Sequence, residues 1–185
     1  MSRPLRVLVL LGSVRRGRLS DRVAAFVMAR LARLDGVTGS LADLAAIDLP
    51  VMEERLRRVD PAPPGLVELG EAIAAADAVV VESPEYNHGY PGALKNALDY
   101  FLPQFKRTPV ALVTVLAGGH GGVHAWAQLV TVLVFMGAMV LPQAVAVSKV
   151  HQAFGGDGAA LDLAYERHVD GMLAELLWLA GRLRD

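Results

Sequence analysis

Three short aliphatic runs, at Leu5–Leu11, 79–81 and 110–116, limit what this chain can fold into more than any other feature. Apart from Arg6 and Thr114 each is apolar at successive positions, not at alternate ones, so both faces of the strand it forms must be covered. Such strands belong in a parallel sheet with helices packed on either side, because a parallel neighbour is reached through a crossover. The crossovers are visible. Leu19, Val23, Val27, Leu31 and Leu34 repeat at helical spacing, as do Leu66, Leu69, Ile73 and Ala76. Ser20 followed by Asp21 reads as the N-cap of the first helix. Pro91 marks the start of a third helix and Pro103 its end. Residues 123–137 form a helix that is apolar nearly all round, and residues 38–44 make a weak second strand. A fifth strand is expected near 144–148. Leu161, Tyr165, Met172, Leu176 and Leu179 supply the apolar face of a closing helix.

Five strands alternating with five helices predict an open, doubly wound α/β sheet, which binds ligands beyond the carboxyl ends of its strands. At 185 residues the chain is expected to be a single domain over 1–185, the proline-rich stretch 57–65 joining elements inside it. A net charge of -1 argues against an electrostatic hold on nucleic acid. The absence of cysteine removes disulfides, thiolate nucleophiles and sulfur-bound metals, so any redox chemistry must come from a bound cofactor. Neither the first apolar run nor residues 129–141 approaches the ~20 residues needed to cross a bilayer. A cytoplasmic protein without membrane contact is the expectation.

Residues 12–20, Gly-Ser-Val-Arg-Arg-Gly-Arg-Leu-Ser, follow the first strand and lead into the first helix. Backbone N–H groups, the hydroxyls of Ser13 and Ser20 and the guanidinium of Arg15 suit an anion held at a helix start. Arg18 and Leu19 stand where a nucleoside triphosphate loop needs Lys and Ser or Thr, and Val14 stands where a dinucleotide loop needs glycine. A terminal monophosphate fits what remains. Arg16 and Arg18 are expected to lie in solvent.

After the third strand comes Ser83-Pro84-Glu85-Tyr86-Asn87-His88-Gly89-Tyr90-Pro91-Gly92, continuing as Ala-Leu-Lys-Asn-Ala-Leu-Asp-Tyr to position 100. Its prolines and glycines shape a rigid loop, and Tyr86 and Asn87 offer an aromatic face and an amide to a flat heterocycle. A third turn, Leu116-Ala117-Gly118-Gly119-His120-Gly121-Gly122, follows the fourth strand.

Taken together, G-S-x-R-x-x-x-x-S after the first strand and P-E-Y-N-x-x-x-P-G-x-L-K-N-A-L-D-Y after the third resemble the NADPH-dependent FMN reductase family over most of the chain. The resemblance implies a flavodoxin-like three-layer α/β/α sandwich with a five-stranded parallel sheet in the order 2-1-3-4-5. It also implies that FMN passes hydride from NADPH or NADH to a small-molecule electron acceptor, as in flavin, quinone, azo-dye and chromate reductases. Ser13, Arg15 and Ser20 would hold the FMN phosphate. Pro84, Glu85, Tyr86 and Asn87 would line the ribityl chain and isoalloxazine, Glu85 through its backbone alone, and Gly118 and Gly119 would lie close to the ring. Leu116 replaces the serine usual in the family's third turn.

No side chain is assigned a catalytic role, since the cofactor carries the chemistry. His88 and His120 fall in flavin-side loops, and His124, His151 and His168 lack ligand-like spacing, so no metal is expected. Lys95 and Asn96 read as structural. Trp126, Phe135 and Met136, on the apolar fourth helix, suggest core or subunit contact and hence a homodimer or homotetramer. Two other readings stay open: a non-enzymatic flavodoxin-like electron-transfer or binding module, and a cofactor-free domain that takes another phosphorylated ligand.

Overall fold

The computed structural model describes residues 3–184; the first two residues and the last one of the expected domain lie outside the described residues. The chain runs β1 (Leu5–Leu11), α1 (Ser20–Leu31), β2 (Val37–Asp43), α2 (Leu44–Ile47), α3 (Leu66–Ala75), β3 (Ala78–Pro84) and α4 (Gly92–Asp99). It continues through a 3-10 turn at Pro103–Phe105 into β4 (Pro109–Val115), α5 (Val123–Phe135), β5 (Met139–Val140), β6 (Val145–Val147), α6 (Val150–Ala153) and α7 (Ala164–Leu183).

All strand pairings are parallel and the order is β2-β1-β3-β4-β5, with β6 also beside β4, so the fold is flavodoxin-like as expected. Alternate strand residues feed two cores. Val7, Val9, Leu11, Val80 and Val113 pack beneath α1 and α7, while Leu8, Leu10, Val79, Val81 and Leu112 pack beneath α3, α4 and α5. Every residue of β3 and β4 is buried, which is why their sequences are nearly continuous aliphatic runs.

Four details differ from expectation. The fifth strand is two pieces: β5 pairs with Pro109 and Val110, β6 with Val113 to Val115, and Pro142 lies between them without a backbone N–H for the ladder. Leu44 leaves β2 to start α2, which Asp43 caps by accepting from the Ala45 N–H at 2.9 Å. Leu161 precedes α7 and is 62% exposed. Ser20 is not the cap of α1; Leu19 occupies that position, and Ser20 heads the buried stripe Ser20, Val23, Ala24, Val27, Leu31. Its hydroxyl therefore faces inward instead of bonding the helix's own amides.

Candidate functional site

The loops after β1, β3 and β4 all leave the carboxyl edge of the sheet. The first departs through Gly12, whose N–H donates to the Glu82 carbonyl at 2.9 Å. A Cβ there would sit 2.8 Å from Leu94 Cδ2 and 2.9 Å from the Glu82 oxygen, so only glycine lets the loop lie this close to β3. Ser13 is fully buried, and its Oγ shares a 2.8 Å hydrogen bond with the Tyr86 hydroxyl. That bond joins the first loop to the second. Arg15 and Arg16 point into solvent. Arg18 does not: its side chain is 15% exposed, pairs with Asp43 through an Nη1–Oδ1 contact of 2.8 Å and donates to the Ser13 carbonyl. Parallel register sets Asp43 beside Leu11, and this brings the carboxylate under the loop. The Ser20 Oγ, 2% exposed at the residue level, has no hydrogen-bond partner.

The second loop is braced from within. Tyr86 and Gly89 exchange backbone hydrogen bonds of 2.8 and 3.0 Å across Asn87 and His88, both left-handed at φ 51° and 64°. This is the geometry of a primed two-residue turn, and asparagine and histidine are among the non-glycine residues that enter the left-handed region most readily. Gln128 of α5 donates to the His88 carbonyl at 2.9 Å. Glu85 uses its side chain as well as its backbone. Its N–H reaches the Val115 carbonyl at 3.1 Å, and one carboxylate oxygen accepts from the His124 and Ala125 N–H groups at 2.9 and 3.2 Å. The other oxygen lies 3.1 Å from His124 Nδ1. Burial pushes the Glu85 carboxyl up, but these hydrogen bonds at the start of α5 outweigh it and hold the group below its ordinary range. Lys95 pairs with Asp99 at 2.6 Å, and Asn96 bridges the Met52 N–H and the Pro50 carbonyl; both are structural, as expected.

Sequence spacing did not reveal that His88 and His124 meet. Their rings stack 4.1 Å apart at 9°, and with Glu85 they bring ligand atoms within 4.8 Å of one another. A metal lies in the plane of each imidazole it binds, so two parallel rings in this arrangement do not converge on one ion. His120 lies exposed in the third loop. There Gly118 and Gly119 are also exposed, their carbonyls accepting from the Lys149 N–H at 2.9 Å and the Ser148 hydroxyl at 3.0 Å. Gly121 and Gly122 take the close contacts, since a Cβ on them would meet Ala146 at 2.8 Å and Thr114 at 2.9 Å.

One residue of the site carries no sequence signal. Glu82, near the end of β3, is completely buried and both its carboxyl oxygens lack partners. Burial pushes its carboxyl well above the usual range; Arg18 pulls the other way, and Asp21 and Asp43 add to the rise.

A buried hydroxyl pair linking two loops, an unpartnered serine at a helix start and open glycine backbone on a third loop suit a phosphate-bearing flat ligand. Residues 5–152 match the family model described as NADPH-dependent FMN reductase. The chain belongs to that family. A quinone reductase of Escherichia coli strain K12 is 35% identical over 145 residues, covering 76% of each chain. An NAD(P)H-dependent FMN reductase of Pseudomonas aeruginosa is 32% identical over the full length of both. Among solved structures, the flavoenzyme NAD(P)H:(acceptor) oxidoreductase FerB of Paracoccus denitrificans superposes with a TM-score of 0.79 at 26% identity, covering 96% of this chain and 98% of FerB. As a member of the NADPH-dependent FMN reductase family the protein is an oxidoreductase with FMN and NAD(P)H as its cofactors. Among the described residues no helix is long and apolar enough to cross a membrane.

Proposed function

We propose that this reductase binds FMN across the three loops and delivers electrons from NAD(P)H to a small acceptor of the quinone or flavin class. The observation that carries this reading is the 2.8 Å bond between Ser13 and Tyr86, which sets the first and second loops side by side at one edge. The buried hydroxyls of Ser13 and Ser20, together with the free guanidinium of Arg15, would hold the phosphate. Pro84, Glu85, Tyr86 and Asn87 would flank the ribityl chain and ring, and the exposed backbone of Gly118 and Gly119 would lie against the ring. Bound there, FMN would supply the hydride-accepting and hydride-donating centre. The protein's part would be to bind it, orient it and leave one face open, with no side chain acting as catalyst and no metal.

Phe135, 80% exposed, and the exposed Val123 and Val134 leave α5 with apolar surface in the lone chain, which supports a homodimer or homotetramer built on that helix. A single domain in the cytoplasm suits a cysteine-free consumer of NAD(P)H. The test is direct. Purified protein titrated with FMN takes it up, and the complex bleaches when NADPH is added without oxygen. Arg15→Ala weakens FMN about 10- to 150-fold, the loss of one charge-assisted hydrogen bond of about 1.5 to 3 kcal/mol. Indifference to FMN ends the proposal, and unchanged affinity in Arg15→Ala removes Arg15 from the site.

A further inference from the structure

Glu82 shares a face of β3 with Val80, whose side chain packs in the core under α1. Alternation along the strand therefore sends the Glu82 carboxyl toward the start of α1, where Ser20 stands. Two polar groups, one carboxyl and one hydroxyl, are thus both buried and both without partners beneath the same loop. Native proteins seldom tolerate such a pair unless something else completes it. The loop is also fastened to this residue, because the Gly12 N–H bonds the Glu82 carbonyl.

The charges around Glu82 do not neutralise it. Arg18, from the first loop, is already engaged by Asp43 at the end of β2, and Asp21, in the first turn of α1, adds negative potential. An ionised carboxylate in that position would be buried, unpaired and beside two other acids, so the neutral acid is the stable form and carries a proton it can donate.

We propose, on the reading that this loop holds the FMN phosphate, that Glu82 is a positioning residue of that site: a buried neutral acid whose proton is required for a phosphate dianion to be held above it. While neutral, Glu82 adds a hydrogen-bond donor on the buried side of the loop, beside the Ser20 hydroxyl. Once ionised, it places like charge under the phosphate and weakens the hold on it. Binding a phosphate dianion in turn makes ionisation harder, so linkage requires proton uptake on binding wherever Glu82 is partly ionised in the free protein. The requirement belongs to the phosphate monoester and not to the ring, so riboflavin, which lacks the phosphate, escapes it.

The experiment is a fluorescence titration of FMN and of riboflavin from pH 7 to pH 9, above the second ionisation of the phosphate and below that of the ring imide, on the wild type and on Glu82→Gln. Wild-type affinity for FMN falls by about tenfold for each unit of separation between the free and FMN-bound pKa of Glu82. The Glu82→Gln profile stays flat, and riboflavin binding stays flat in both. Should Glu82→Gln fail to fold, calorimetry on the wild type in buffers of different ionisation enthalpy reads the same linkage, with proton uptake for FMN and none for riboflavin. FMN profiles that coincide in wild type and Glu82→Gln, or calorimetry showing no uptake, overturn the role of Glu82 while leaving FMN binding intact. Failure of both proteins to bind FMN at any pH overturns the cofactor reading and this proposal with it.

Discussion

The loops after β1 and β3 leave neighbouring strands at the same edge, yet they are built on opposite plans. The β3 loop satisfies itself: its turn closes on its own backbone, Gln128 holds His88, and the Glu85 carboxylate answers the first N–H groups of α5. The β1 loop keeps polar groups unsatisfied, with the Ser20 Oγ and both Glu82 oxygens buried beneath it and no partner for any of them. A self-satisfied loop is rigid before a ligand arrives, whereas an unsatisfied one is completed by it. The first plan suits a ring that must be presented in one orientation. The second suits a phosphate, whose oxygens supply the missing acceptors.

The largest effect that could break this contrast is expected at Glu85. Glu85→Ala strands two N–H groups at the start of α5 and frees the β3 loop, and should cost about 3 kcal/mol, seen as a fall of roughly 6 to 12 °C in the melting temperature. The cost has a pH signature. Because the folded pKa of Glu85 is depressed, its contribution is complete above the unfolded value and is lost as pH falls through the folded one. The gap between wild type and Glu85→Ala should therefore narrow on acidification. A gap that stays constant would mean that packing, and not the charged oxygens, holds the loop.

How far these plans can be read from sequence depends on whether the signal is local. β1, β3 and β4 are plain in the text because burial on both faces leaves aliphatic runs, and the order of elements then places all three loops at one edge. The edges of the sheet are harder: β2 is half exposed, and the interruption of the fifth strand turns on a single residue, Pro142. Ser20 is ambiguous. Serine followed by aspartate before an apolar stripe looks like a cap, but counting back from Val23, Ala24 and Val27 puts Ser20 on the stripe itself. Glu82 shows nothing locally, since a single acid near a strand end reads as an exposed terminus. Its burial comes from α1 laid over β3 and from Gly12 letting the loop close above it. Arg18 and the stacked His88 and His124 are hidden for the same reason, their partners being supplied by distant segments.

A smaller effect is expected where the two plans touch. Tyr86→Phe removes the hydroxyl bonded to Ser13 and leaves the fully buried Ser13 Oγ with only the 3.4 Å contact from the Arg15 N–H. The cost in stability should be about 1 kcal/mol, with a comparable loss in FMN affinity measured by fluorescence titration. If stability falls while FMN affinity does not, the bond merely fastens two loops together. If affinity falls alone, the tyrosine serves the ligand directly.

The smallest change in the free protein, and the one that separates the plans most cleanly, is Ser20→Ala. Most buried hydroxyls are missed when removed, because a partner is left behind unpaired. Ser20 has no partner to strand, and alanine is the better helix former at this position. The stability of the ligand-free protein, read from thermal or denaturant unfolding, should thus stay within about 0.5 kcal/mol of wild type, or rise slightly. With FMN present the sign reverses: the variant lacks a donor that only the phosphate would use, and the stabilisation conferred by saturating FMN should be smaller by about 1 kcal/mol. A serine that costs nothing to lose until the ligand arrives is kept for the ligand. Equal losses with and without FMN would show instead that the hydroxyl has a structural partner, and the division between a self-satisfied loop and a ligand-completed one would fail at its clearest point.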